Sequence, residues 1–127
     1  MEKGKDNRAL ELAIKNVTDI KTLFDSAKKG KENDKFLSAL EGQIARSCTS
    51  VVLNISESTD HISQPMRLNK LNIACGENQE TIANIRTTIA LGYIFKQDCQ
   101  ELLDNLDQVK KILNKSLITI KNKLKTT

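Results

Sequence analysis

The chain has 127 residues, 28% of them charged, with a single proline and a formal charge of +4 at pH 7. That length suits one domain, residues 1–127, with a continuous core, and the composition excludes disordered, collagen-like and disulfide-stapled chains. The only aromatics are Phe24, Phe36, Tyr93 and Phe95, which leaves a core of Leu, Ile, Val and Ala and argues against a single-strand binder that stacks bases on rings.

The first predicted helix covers about 6–29. Its apolar row is Leu10, Ala13/Ile14, Val17, Ile20, Leu23/Phe24 and Ala27, at three- and four-residue steps, and Gly30 ends it. Asn33 or Asp34 caps the second helix, about 34–58, whose inner row is Phe36/Leu37, Leu40, Ile44, Cys48, Val51 and Ile55. Beside that row runs a polar ridge of Gln43, Ser47, Ser50, Asn54 and Glu57, with Arg46 adjoining. Polar groups so near a core need partners, so an internal network of Gln43, Arg46, Asn54, Glu57, Asn78 and Glu80 is expected, with Arg46 set between Glu57 and Glu80 as a structural ion pair.

After the turn at 59–64, Ser63 or Gln64 caps the third helix, about 64–91, with Pro65 in its first turn. Its heptad reads Leu68, Leu71, Cys75, Asn78, Ile82, Ile85 and Ile89, with Asn78 as a register-fixing polar break and Gly92 as the left-handed stop. The fourth helix, about 96–124, follows a seam of Leu102, Leu106, Val109, Leu113, Leu117, Ile120 and Leu124. Short links between long helices give an all-α, up-down-up-down antiparallel four-helix bundle.

Charge is unevenly placed. Residues 1–62 carry ten basic and ten acidic side chains, whereas residues 63–127 carry ten basic and six acidic. The fourth helix opens with Asp98, Glu101, Asp104 and Asp107 and closes with Lys110, Lys111, Lys115, Lys121, Lys123 and Lys125. This polarity suits a helix dipole. It also makes Lys110, Lys111, Lys115, Lys121 and Lys125, with Arg67, candidate phosphate contacts for RNA or DNA. One copy at +4 attracts nucleic acid only mildly; several copies that point their basic ends one way sum their potentials. Leu53, Ile73 and Ile118 fall outside the core rows and are candidate contacts of a homo-oligomer.

Catalytic, cofactor and metal chemistry are not expected. His61 is the only histidine, and neither a glycine-rich phosphate loop nor a paired ExxH of di-iron bundles is present. Cys48, Cys75 and Cys99 are odd in number and lack CxxC spacing, so a reducing interior is the default. Without a signal-peptide pattern or an apolar run near eighteen residues, no membrane partner is expected and the location is taken as cytoplasmic.

The run from Gln43 to Glu57, QIARSCTSVVLNISE, resembles the second-helix signature of the four-helix-bundle proteins from intervening sequences of large-subunit ribosomal RNA genes. That signature reads roughly Q-I-R-R-A-x-x-S-I-P-x-N-I-A-E-G, and Gln43, Ile44, Arg46, Ser50, Asn54, Ile55 and Glu57 fall on its fixed positions. Ile73, Ala74, Gly76 and Glu80 are similar to the family's third-helix stretch, and Ala90 to Tyr93 to that helix's end. Val52 replaces the usual proline and Ser58 the usual glycine.

The resemblance implies a homopentameric ring with a basic surface around its axis. The family includes the accessory variability determinants of diversity-generating retroelements, which bind nucleic acid and a reverse transcriptase. The leading expectation is therefore a non-enzymatic, oligomeric nucleic-acid-binding protein, an accessory factor to a reverse transcriptase in such a retroelement. The alternative is a protein-interaction adaptor of the same family with no direct nucleic-acid role.

Overall fold

Aliphatic rows at helical spacing fold here into four long helices, in a computed structural model that describes residues 3–60 and 62–126. They are α1 (Lys3–Ala27), α2 (Lys35–Ser58), α3 (Gln64–Ala90) and α4 (Gln100–Lys125). A 3-10 turn, Lys96–Cys99, precedes α4, so the first four residues of the predicted fourth helix are wound more tightly than expected. Each helix packs against the next in sequence and α4 returns to α1, which is the all-α, antiparallel four-helix bundle.

The ends are set by local chemistry. The Asp34 carboxylate accepts the Leu37 N–H at 3.1 Å at the start of α2, and the Ser63 hydroxyl accepts that of Met66 at 3.3 Å at the start of α3. Gly30 and Gly92 take the left-handed conformations that close α1 and α3, at φ 76° and 83°. Tyr93, just past Gly92, donates its hydroxyl to Asp34, 2.8 Å from each carboxylate oxygen, and so ties the α3–α4 loop to the start of α2.

The core falls into two halves. One gathers Ala13, Val51, Ile55, Leu71, Leu113 and Ile120, and the other Ile20, Phe24, Ile44, Ile85, Leu102 and Leu106. Between them lies a polar waist of Asn16, Ser47, Asn78 and Thr81, all buried. Asn78 donates to the Leu106 carbonyl at 2.9 Å, and the Ser47 and Thr81 hydroxyls meet at 2.7 Å.

Three expectations need correction. Phe36 is 72% exposed and Ile14 also faces solvent, because Leu37 and Ala13 occupy the inward positions beside them. On α3 the buried row is Leu71, Ala74, Asn78, Thr81, Ile85 and Thr88, while Leu68, Cys75, Ile82 and Ile89 of the predicted heptad are only half-buried on a flank. The helix is rotated because its threonines behave as small core residues. Thr81 and Thr88 donate to the carbonyls four residues back, at 2.9 and 2.7 Å, which satisfies the hydroxyls and lets neighbouring backbones come close.

Candidate nucleic-acid interface

Several cations of α1, α2 and α3 are neutralised by carboxylates. Lys15 pairs with Asp19 at 2.7 Å, Lys21 with Asp25 at 2.7 Å and Lys28 with Glu41 at 3.0 Å. Asp19 and Glu101 accordingly push the Lys15 ammonium up, and Glu41 does the same to Lys28, so both stay charged. The last five turns of α4 differ. Lys111 reaches Asp107 at 3.0 Å, but Lys110, Lys115, Lys121, Lys123 and Lys125 form no ion pair among the described residues.

Helical geometry sorts these amines. At about 100° per residue, Lys110, Lys111, Lys121 and Lys125 share the α4 flank that turns toward α3. Two contacts fix that direction: the Cys75 thiol of α3 donates to the Asn114 carboxamide at 3.8 Å, and the Lys121 ammonium pulls down the Cys75 thiol that burial pushes up. Lys115 is exposed farther round the helix, and Ile118, 61% exposed, stands within the lysine face. Arg67 is half-buried near the start of α3, at the same end of the bundle, where Leu68 joins the half-core of Leu117 and Ile120.

Toward the other end, the space between α3 and α4 opens into a cleft of about 610 Å3, into which Lys110 projects. Arg86 of α3 and Lys96 of the 3-10 turn also line it. Neither was singled out in the sequence, although Arg86 shares a stripe with Ile82 and Ile89 at three- and four-residue steps.

The six residues expected to form one network separate into independent parts. Arg46, its side chain 56% exposed, pairs with Glu77 at 3.2 Å and with Glu80, not with Glu57. Those two carboxylates, Glu80 foremost, raise the Arg46 guanidinium. Glu57 instead accepts from Lys70 at 2.8 Å. Asn54 folds back onto its own helix, donating to the Ser50 carbonyl at 2.9 Å, Asn78 belongs to the waist, and Gln43 is exposed.

The ion pairs Arg46–Glu80 and Glu57–Lys70 mark the antiparallel register of α2 and α3, in which Leu53 stands level with Ile73. These two are 57% and 39% exposed, an apolar pair flanked by charge at both ends. Ile118 lies on a different flank of the bundle and does not join them.

His61 lies outside the described residues. Among the described residues no group of three His, Cys, Asp or Glu side chains is placed to hold a metal ion, and no helix is long and apolar enough to cross a membrane.

The class defined by this geometry is a small antiparallel four-helix bundle with an unneutralised cationic fourth helix. The chain belongs to the family of 23S rRNA-intervening sequence proteins, which it matches over residues 5–115. It is also similar to the crystal structure of a protein of unknown function from the S23 ribosomal protein family of Bacteroides thetaiotaomicron. That likeness has a TM-score of 0.78 and 26% identity over 89% of this chain and 97% of that one. No curated protein matches the sequence.

Proposed function

We propose that this protein binds nucleic acid without catalysis, as a homo-oligomer that presents the α4 lysine face. The observation that carries the reading is the concentration on one helix of five lysines without an ion pair among the described residues, Lys110, Lys115, Lys121, Lys123 and Lys125, whereas Lys15, Lys21, Lys28, Arg46 and Lys70 on the other helices each meet a carboxylate. Lysine–phosphate contacts give affinity that is blind to sequence and steeply salt-dependent. Fluorescence anisotropy with duplex RNA and DNA at graded salt tests it. The log–log slope should be near −0.9 per phosphate neutralised, and the slope of Lys121→Gln/Lys125→Gln should be smaller by about one unit for each lysine removed. Absence of binding at low salt, or an unchanged slope in that variant, rejects the reading.

A pentamer and an accessory role beside a reverse transcriptase in a diversity-generating retroelement extend this reading by family resemblance. An adjacent reverse-transcriptase gene with an adenine-substituted repeat supports them, and a location within a ribosomal RNA operon opposes them. The exposed Leu53–Ile73 pair, the contact on which the oligomer rests, serves a second reading equally, an adaptor that docks a different protein there. Co-purification of that partner through nuclease and high salt distinguishes this adaptor from a nucleic-acid binder.

A further inference from the structure

The α3–α4 cleft has a composition that a simple charged surface does not need. Its apolar floor is made of Ile82, Ile89 and Leu103, each half-buried and in contact with the core half that contains Ile85 and Leu102. Around that floor stand three cations, Arg86, Lys96 and Lys110, none with a carboxylate partner among the described residues. They stay unpaired although two carboxylates line the same cleft. Asp104 accepts instead from the Gln100 amide at 3.0 Å, and Asp107 pairs with Lys111 at 3.0 Å. The volume, about 610 Å3, lies within the range of about 300–1,000 Å3 that small-molecule sites occupy.

We infer that the cleft binds a nucleoside phosphate, with its base on Ile82, Ile89 and Leu103 and its phosphate held by Arg86, Lys96 and Lys110. Each part of the lining selects against a simpler occupant. A bare inorganic anion makes no use of the aliphatic floor, and the alkyl chain of a long-chain anion covers Asp104 and Asp107 without offering them a hydrogen-bond donor. A nucleotide uses both, because its ribose hydroxyls and exocyclic amines donate to carboxylates while its phosphate meets the cations. The flat base is held on aliphatic side chains, in keeping with a chain so poor in aromatics. The source is either a free nucleotide or one unit of a single strand. Only the strand source rests on the nucleic-acid reading above, because Lys110 joins the cleft to the lysine face.

Methyl NMR of the full chain, labelled at Ile and Leu, separates the possibilities with adenosine monophosphate, inorganic phosphate and a single-stranded RNA decamer as probes. Adenosine monophosphate should shift the Ile82, Ile89 and Leu103 methyls saturably, at least about tenfold more tightly than inorganic phosphate. Arg86→Gln/Lys96→Gln changes two exposed side chains and should weaken that binding at least about fivefold, with helical circular dichroism unchanged. Lys121→Gln/Lys125→Gln should leave it within about twofold. A decamer that competes with and outbinds the mononucleotide assigns the strand as source; one that leaves the mononucleotide in place assigns the free nucleotide. The inference is overturned if the three methyls do not shift, if inorganic phosphate binds as tightly, or if the Gln variant binds unchanged. Loss of duplex binding with mononucleotide binding intact rejects only the lysine-face reading.

Discussion

Asn16 buries its carboxamide at the waist of the bundle, 2% exposed, with neither its oxygen nor its nitrogen hydrogen-bonded among the described residues. The void beside it, which Asn78, Thr81 and Leu106 also line, is too narrow for a water-sized sphere. Each unmet buried polar group costs about 1–3 kcal/mol, and leucine matches asparagine in side-chain heavy-atom count and branching. Asn16→Leu is therefore expected to stabilise the fold by about 1–3 kcal/mol, measured by urea unfolding. Asn78→Leu should instead destabilise by about 1 kcal/mol, because it deletes a satisfied bond to the Leu106 carbonyl. Equal effects of the two changes would contradict this account of the waist.

Asp34 has a pH signature. The Leu37 backbone N–H and then the Tyr93 hydroxyl hold its carboxyl below the ordinary 3.8. A lowered folded value means that the charged form stabilises the fold, fully above the unfolded value and progressively less as pH falls through the folded one. Asn retains the cap geometry but not the charge. The stability difference between the natural chain and Asp34→Asn should thus be constant near neutrality and shrink as pH drops below about 3.8, in thermal melts followed by circular dichroism. A difference that grows on acidification would refute it.

Within the helices, burial decides which aliphatic residues matter. Leu113 and Ile118 sit five residues apart on α4, one fully buried and the other 61% exposed. Leu113→Ala should cost about 2–5 kcal/mol, and Ile118→Ala no more than about 0.5 kcal/mol, read from denaturant midpoints. Helix ends were largely legible in the sequence, because Asp34, Ser63, Gly30 and Gly92 act through their own backbone neighbours. The rotation of α3 was not. Counting aliphatics alone sets Leu68, Cys75, Ile82 and Ile89 in the seam, since a hydroxyl reads as polar until it is seen bonded to its own helix. The same blindness hid the cleft, because two of its three floor residues, Ile82 and Ile89, belong to the row that the sequence places in the core.

At the level of the assembly, the proposed oligomer rests on the Leu53–Ile73 pair. Leu53→Asp/Ile73→Asp should reduce the sedimenting mass toward that of one chain while helical content is preserved, because both side chains are exposed and leave the core intact. A single-chain mass for the natural protein would remove the oligomer before any substitution is made. Nucleic-acid affinity of the dissociated variant should fall by at least about tenfold, since the lysine faces of separate copies no longer add their fields. Sequence exposed the charge imbalance behind this expectation but misjudged the partners of Glu57, which meets Lys70 and not Arg46.

Periodicity, caps and the acid-to-base drift of α4 are short-range properties, carried by residues within a few turns of one another, so the linear chain was enough to specify four antiparallel helices. Which lysines stay unpaired, where a cleft opens between α3 and α4, and which aliphatics face outward depend on how helices rotate against one another. That rotation buries Ala74, Thr81 and Thr88 and brings the Thr81 hydroxyl to 2.7 Å from that of Ser47, a contact between distant segments that no local pattern contains.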